Sequence, residues 1–315
     1  MATPKEKKEA KLNMESLSWG GLTRTDIQPP TDAATEYLAQ NYKFHPLDLD
    51  DTRSRIQRPK IDEYKEYLFL VFHFPRYRKD ERVLISSQLA VFIGDGYLIT
   101  LHEGELKPLV KLFKECQIDE ESRQEYLGKG PGYLLYRILD RLVDYCLPIL
   151  DKVGDGIEDI EAGIFSKRRT GMIREISRLR RDVIAFRRII WPMRAVVGSL
   201  EPKVRRFIAT DLAVYFGDMV DHLDKIWDGL DEYKEIIEGL NDTYDSLTTN
   251  RTNEVVRILT IIATIMLPVT VVASVYGMNI NLPFMDSEFA LLYVFLMMIV
   301  IIIAVLLFLR HLRVI

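Results

Sequence analysis

Two uncharged apolar runs near the end of the chain dominate its hydrophobic pattern. Residues 258–276 hold 19 positions without a charge, and residues 289–309 hold 21 more. At about 1.5 Å per residue, each is long enough for a hydrocarbon layer of roughly 30 Å. A buried helical hairpin of a soluble protein is the alternative, but two runs that are apolar all round are hard to bury elsewhere. Arg251 and Arg257 precede the first run, and Arg310, His311 and Arg313 follow the second. The connecting loop holds only Asp286 and Glu288. Positive flanks favour the cytoplasm, so both termini are expected inside and the short loop outside.

Upstream the periodicity changes. YLFLVFHFP (67–75) and VLISSQLAVFI (83–93) are rich in β-branched and aromatic residues and read as strands. Asp95-Gly96 then predicts a tight hairpin before YLITLHE. Between Trp19 and Lys60, turns mix with a short helix around 33–41. GKGPG (128–132) lacks the lysine-serine ending of a phosphate loop and reads as a linker. From Tyr133 the pattern is helical: one piece to about Phe165, a second from about Met172 to Leu200, and a third from near Val204 with no proline until Pro268. That third helix would run for roughly 90–100 Å, straight into the first apolar run.

The third helix carries a heptad seam: Leu223, Ile226, Leu230, Tyr233, Ile237, Leu240, Tyr244 and Leu247. A stripe of acids is displaced by two residues: Asp221, Asp224, Asp228, Asp231, Glu235, Glu238, Asp242 and Asp245. Two residues are about 200° on a helix, so these carboxylates lie nearly opposite the seam. Like charges at this spacing repel. Residues 167–206 hold 13 Lys/Arg against 3 Asp/Glu, while residues 207–247 hold 2 Lys against 11 Asp/Glu. Three things could relieve the repulsion: the basic helices, divalent cations, or water and salt. A sparse carboxylate ladder suits weakly held, hydrated Mg²⁺, which sheds water reluctantly.

Composition narrows the picture. The net charge of −4 gives no basic signature of a nucleic-acid binder. Cys116 and Cys146 have no metal or redox spacing, so a reduced, intracellular body is expected. The first 15 residues are charged without an apolar core and do not read as a secretory signal. No HExxH, phosphate loop or nucleophile elbow is present, and His45, His73, His102 and His222 read as structural or surface residues, so no enzyme is expected.

Within the first apolar run, Leu259, Ala263, Leu267, Thr270, Ser274 and Gly277 recur at steps of 3 and 4. Such a face either packs helix on helix or lines a narrow pore built from several copies, since two spans enclose no path. No acid or base lies within either run, which argues against a proton-relay carrier site. A ring of amide oxygens from Asn279 could hydrogen-bond the water shell of a permeating Mg²⁺ without holding it too tightly, with Gly277 letting backbones approach.

The stretch TNEVVRILTIIATIMLPVTVVASVYGMN (252–279) strongly resembles the signature of CorA-type magnesium channels, whose hallmark is the tripeptide Gly277-Met278-Asn279. HPLDLDD and QRPK between His45 and Lys60, IIWPMR (189–194) and YFGDMVDH (215–222) extend the resemblance over most of the chain. The resemblance implies a funnel-shaped homopentamer in the lipid bilayer, with long stalk helices lining the pore. It implies a selectivity filter at Gly277, Met278 and Asn279. It places Val256, Leu259, Leu267 and Thr270 along the pore and its gate, beside the Ala263 and Ser274 of the small-residue face. It assigns Asp51 and Asp218 to a regulatory Mg²⁺ site between subunits and Asp242 to a further acid site in the stalk. Bound Mg²⁺ would then favour the closed state that buries its ligands between subunits. Without the resemblance, Asp51 and Asp218 read as ordinary surface carboxylates or helix-end partners of arginine.

Many members carry Met-Pro-Glu-Leu after the tripeptide. Here that loop reads INLPFMDSE, with Asp286 and Glu288 left to attract cations at the outer mouth. The expected order is a charged tail (1–17), a cytoplasmic α/β domain (18–130), a helical hairpin region (131–202), and a long stalk helix continuing into the first span (203–276). An outer loop (277–288), a second span (289–309) and a basic tail (310–315) complete it. The expected activity is uptake of Mg²⁺, with Co²⁺ and Ni²⁺ as further cargo. A ZntB-like zinc transporter and a membrane-anchored coiled scaffold are the alternatives. Mg²⁺ is preferred because His311 lies past the second run and both cysteines precede Arg168.

Overall fold

A run such as YLFLVFHFP has apolar side chains on both faces, so it must be covered twice, and the structure covers it twice. The computed structural model describes residues 13–54, 57–78, 83–164, 171–208, 210–278 and 289–311. Six strands form one sheet: β1 (Met14–Trp19), β2 (Leu22–Ile27), β3 (Lys60–Glu63), β4 (Tyr67–Arg78), β5 (Val83–Gly94) and β6 (Tyr97–His102). Their order is β1-β2-β6-β5-β4-β3. Neighbours are antiparallel except β2 and β6, which run parallel. The hairpin expected at Asp95-Gly96 joins β5 to β6, with Gly96 at φ 75°.

Helices α1 (Asp32–Asn41) and α2 (Pro46–Arg53) supply Ala34, Leu38 and Leu49 to the core on one face, against Phe69, Val71, Phe92 and Ile99. Phe44 stacks on Phe92 at 4.0 Å between ring centroids. Helices α3 (Lys107–Ile118), α4 (Glu120–Leu127), α5 (Pro131–Asp144), α6 (Leu147–Ile164) and α7 (Met172–Gly198) follow. α7 packs against β4 and β5. The short α8 (Glu201–Val204) and a 3₁₀ turn (Arg205–Phe207) lead to α9 (Ala213–Tyr276), and α10 (Ala290–His311) comes last.

Several expectations change. The chain is already a strand at Met14, inside the segment expected to be a tail. Gly20 and Gly21, at φ 56° and 86°, turn it into β2. The expected helix 133–165 is two helices, because Pro148 has no N–H for the carbonyl of Asp144. The long helix starts at Ala213 rather than near Val204. Pro202 opens the four-residue α8, and the Asp211 carboxylate accepts the N–H of Ala213 at 2.9 Å to start α9.

The chain divides into two compact units, residues 1–240 and 241–315. In the first, the seam residues Leu223, Ile226, Leu230, Ile237 and Leu240 are buried. Added Cβ atoms show how tightly α9 meets α6: at Gly229 one would stand 3.2 Å from Leu150, and at Gly154 one would meet the Tyr233 hydroxyl. This part of the seam therefore packs on helices of its own chain. In the second unit, α10 and the end of α9 line a largely apolar hollow that includes Ala273, Tyr276, Val294 and Met298.

A buried polar network ties β2 to β6. Asp26 accepts from Thr100 at 2.5 Å and from Gln28 at 2.5 Å, and its oxygens lie 3.2 and 3.3 Å from His102 Nε2. Burial alone would raise its carboxyl group. The bond to His102 and the other partners outweigh that and hold it below its usual value. A carboxylate depressed on folding stabilises above its unfolded pKa, near 3.9, and loses that contribution as pH falls. Urea unfolding should therefore show stability declining below about pH 4. Asp26→Asn should remove part of that slope and cost about 1–3 kcal/mol at neutral pH. Leu230→Ala, at the fully buried middle of the seam, should cost about 2–5 kcal/mol in the same assay.

Candidate metal-transport site

Helix α2 begins with a cap assembled from its own motif. His45 Nδ1 accepts the N–H of Leu47, and Pro46 fills the first turn where no donor is needed. Asp48, in that first turn, is buried and accepts from Tyr67 at 2.9 Å and Tyr64 at 3.2 Å. Burial pushes the Asp48 carboxyl up, against those two hydrogen bonds. One turn later stands Asp51. Gln57 donates to its Oδ1 at 2.6 Å, and Lys60 Nζ lies 2.6 Å from its Oδ2. Lys60 also pairs with Asp62. Partial burial would lower the Lys60 ammonium, but hydrogen bonds to Asp51 and Asp62 hold it above its usual value. Any cation that takes the carboxylate of Asp51 directly must compete with this ammonium.

Asp218 lies on the first turns of α9 with a side chain 64% exposed. His222, one turn on, stands 4.0 Å from Asp218 and 3.4 Å from Asp144 of α5. The neighbouring Asp140 has its carboxyl pushed up by burial and then by the charge of Asp144, with Asp218 adding to it. Further along α9 the acidic stripe meets α7 at two points: Arg194 pairs with Asp224, and Arg187 pairs with Asp231. The Arg187 bond holds the Asp231 carboxyl below its usual value. Asp221, Asp228, Glu235 and Asp242 are exposed along the same helix.

The apolar part of α9 has a different chemistry. Val256, Leu259, Ala263, Leu267, Thr270 and Ser274 are all exposed. Threonine hydroxyls turn back onto the helix: Thr260 to the Val256 carbonyl, Thr264 to Thr260 and Thr270 to Met266, each at 2.8 Å. Polar side chains are thereby satisfied without a partner helix. The helix ends at Gly277, whose N–H reaches the Ala273 carbonyl at 3.0 Å, and at Met278, whose N–H reaches Val275 at 3.2 Å. In both α9 and α10 the most apolar 18-residue stretch has no buried residue. Surfaces this apolar and this bare need a non-aqueous cover.

A family profile described as "CorA-like Mg2+ transporter protein" matches residues 21–311. The chain belongs to the CorA-like family. Among relatives, the putative metal ion transporter YfjQ of Bacillus subtilis is 32% identical over 256 residues, covering 81% of this chain and 78% of that protein. The cobalt/magnesium transport protein CorA of Thermotoga maritima is 32% identical over 261 residues, covering 82% and 71%. Of solved structures, the complete CorA magnesium transporter of Methanocaldococcus jannaschii shares the fold, with a TM-score of 0.78 at 22% identity, covering 92% of this chain and 90% of that one.

With its two bare apolar helices, this CorA-like chain is a membrane protein. Its expected site residues are not gathered at one place. Asp51 and Asp218 share no hydrogen-bond or ion-pair partner among the described residues. Among those residues, too, no three His, Cys, Asp or Glu side chains are placed to hold a metal ion. Asn279, Asp286 and Glu288 lie outside the described residues. Gln57 and Lys60, the residues that grip Asp51, were not expected from the sequence. The only trace of them was the QRPK motif itself.

Proposed function

We propose that this chain is one subunit of a homopentameric channel that admits Mg²⁺ through the membrane and is closed by Mg²⁺ on the cytoplasmic side. One observation carries the reading. A single helix, α9, joins a buried heptad seam to an exposed, uncharged segment with small and polar side chains on one face, and it ends at the Gly-Met-Asn tripeptide. Two spans cannot enclose a path, so several copies of that face must surround it.

Relatives named as cobalt/magnesium transport proteins support Mg²⁺ and Co²⁺ as cargo; Ni²⁺ is a further cargo in this reading. Oxygen ligands and retained water suit a hard ion. Neither uncharged run contains a cysteine or a histidine, and Cys116 and Cys146 are buried within the first unit. This favours Mg²⁺ over the zinc transport of the more distant relative ZntB. In this reading both termini are cytoplasmic, and Asn279 forms the outer amide ring with Asp286 and Glu288 near the mouth. Val256, Leu259, Ala263, Leu267, Thr270 and Ser274 line the path.

Gating follows from charge. Asp51 and Asp218 belong to one chain without meeting in it, so a shared ion would bridge neighbouring subunits. Lys60 pairs with the Asp51 carboxylate. The cation then either displaces an ammonium or binds through its water shell, and both make the site weak enough to empty as internal Mg²⁺ falls. Asp242 extends the acidic path in the stalk. In proteoliposomes, Asp51→Asn combined with Asp218→Asn should keep conducting at internal Mg²⁺ levels that shut the wild type. Unchanged inhibition by internal Mg²⁺ would remove both residues from the sensor.

A further inference from the structure

On α7, Trp191 is 59% exposed. Trp227 of α9 packs against it, with ring centroids 4.8 Å apart and planes at 45°. The Arg187 guanidinium lies over the Trp227 ring at 4.3 Å. These side chains line one wall of a groove of about 980 Å³ between α7, α9 and the β4–β5 hairpin. That volume lies at the upper end of the roughly 300–1,000 Å³ typical of small-molecule sites.

The charge of the lining is one-sided. Arg58, Arg187, Arg188 and Lys234 border the groove, and none of its described lining residues is Asp or Glu. Arg187 and Lys234 have acidic partners set back from it, Asp231 and Glu238. Arg58 and Arg188 have no ion-pair partner among the described residues, in a chain whose net charge is −4. His73 also lines the groove. Its Nδ1 bonds Ser86 Oγ at 2.7 Å, while its Nε2 is buried without a hydrogen-bond partner.

An aromatic platform beside unpaired cations and free of carboxylates matches a ligand with a flat ring at one end and several negative charges at the other. We infer that this groove is a binding site for a nucleoside polyphosphate, with the base against Trp191 and the phosphates held by Arg58, Arg188 and Lys234. A simple anion would leave Trp191 without a role. A neutral aromatic ligand would leave the arginines unpaired. Because the described lining offers cations and no carboxylate, the metal-free polyphosphate fits better than its Mg²⁺ complex, whose charge is partly neutralised. Resting on the proposed function, this gives the channel a second cytoplasmic input: a polyphosphate stripped of Mg²⁺, as when Mg²⁺ is scarce.

The test is calorimetric titration of the full-length protein in detergent with ATP in EDTA buffer, with tryptophan fluorescence as a second readout. Saturable submillimolar binding is expected, with adenosine and pyrophosphate each weaker than ATP. Arg58→Ala with Arg188→Ala, and separately Trp191→Leu, should weaken it about tenfold or more. Unchanged thermal unfolding and elution volume would show that these variants fold and assemble. Excess Mg²⁺ should weaken binding several-fold. Absence of saturable binding, or affinity untouched by the variants, would overturn the site. Equal affinity for the Mg²⁺ complex would overturn its cationic basis. Should Trp191→Leu instead break the assembly while ATP has no effect, the groove is an interface between copies. This binding readout involves no ion flux, so it succeeds or fails independently of the transport reading.

Discussion

One helix must satisfy two solvents. The 64 residues of α9 begin in the first compact unit and end in a segment that water cannot cover. In hydrocarbon every backbone polar group needs a partner inside the protein, and a helix is the only single-segment answer. The sequence meets this demand at the level of side chains. Thr260, Thr264 and Thr270 give their hydroxyl groups to their own helix. The one proline inside α9, Pro268, removes a backbone donor in the same stretch. At its other end α9 is held by ordinary burial of Leu223, Ile226 and Leu230, and by glycines that let α6 approach. The transport reading depends on that continuity, because one helical segment carries the chain from the first unit to the tripeptide.

Electrostatics then sort the acidic stripe into two classes. Asp224 and Asp231 are matched by arginines of α7. Asp221, Asp228, Glu235 and Asp242 remain exposed. Exposed pairs contribute little to stability, so the matched acids chiefly fix the register of α9 on α7. The unmatched ones leave a negative surface that suits a cation-conducting assembly. Asp51 is a third case: partly buried, and gripped by a lysine and a glutamine from the segment that follows α2.

How far the sequence foretold this follows from where each signal lives. The central strands β4 and β5 were legible because both of their faces are covered, which makes them continuously apolar. β1 and β2 were not, since half or more of MESLSW and LTRTDI is polar and one of them ends the sheet. The bend at Pro148 and the late start of α9 hinge on single backbone donors, which a hydrophobic period does not register. The charge sums left basic helices, cations and water open as partners of the acidic stripe, and they carried no sign of which arginine of α7 meets which aspartate. The grip of Gln57 and Lys60 on Asp51 crosses a loop and has no periodic trace. The exposed Trp191 was visible only as part of a motif.

The most direct measurement is Mg²⁺ influx into proteoliposomes carrying an internal Mg²⁺ dye, comparing wild type with Asn279→Ala under Co²⁺ and Zn²⁺ competition. The account predicts rapid wild-type influx that slows as internal Mg²⁺ rises, and loss of selective influx in Asn279→Ala with assembly intact. Absence of wild-type Mg²⁺ flux, or Zn²⁺ uptake that follows an imposed proton gradient instead, would contradict it.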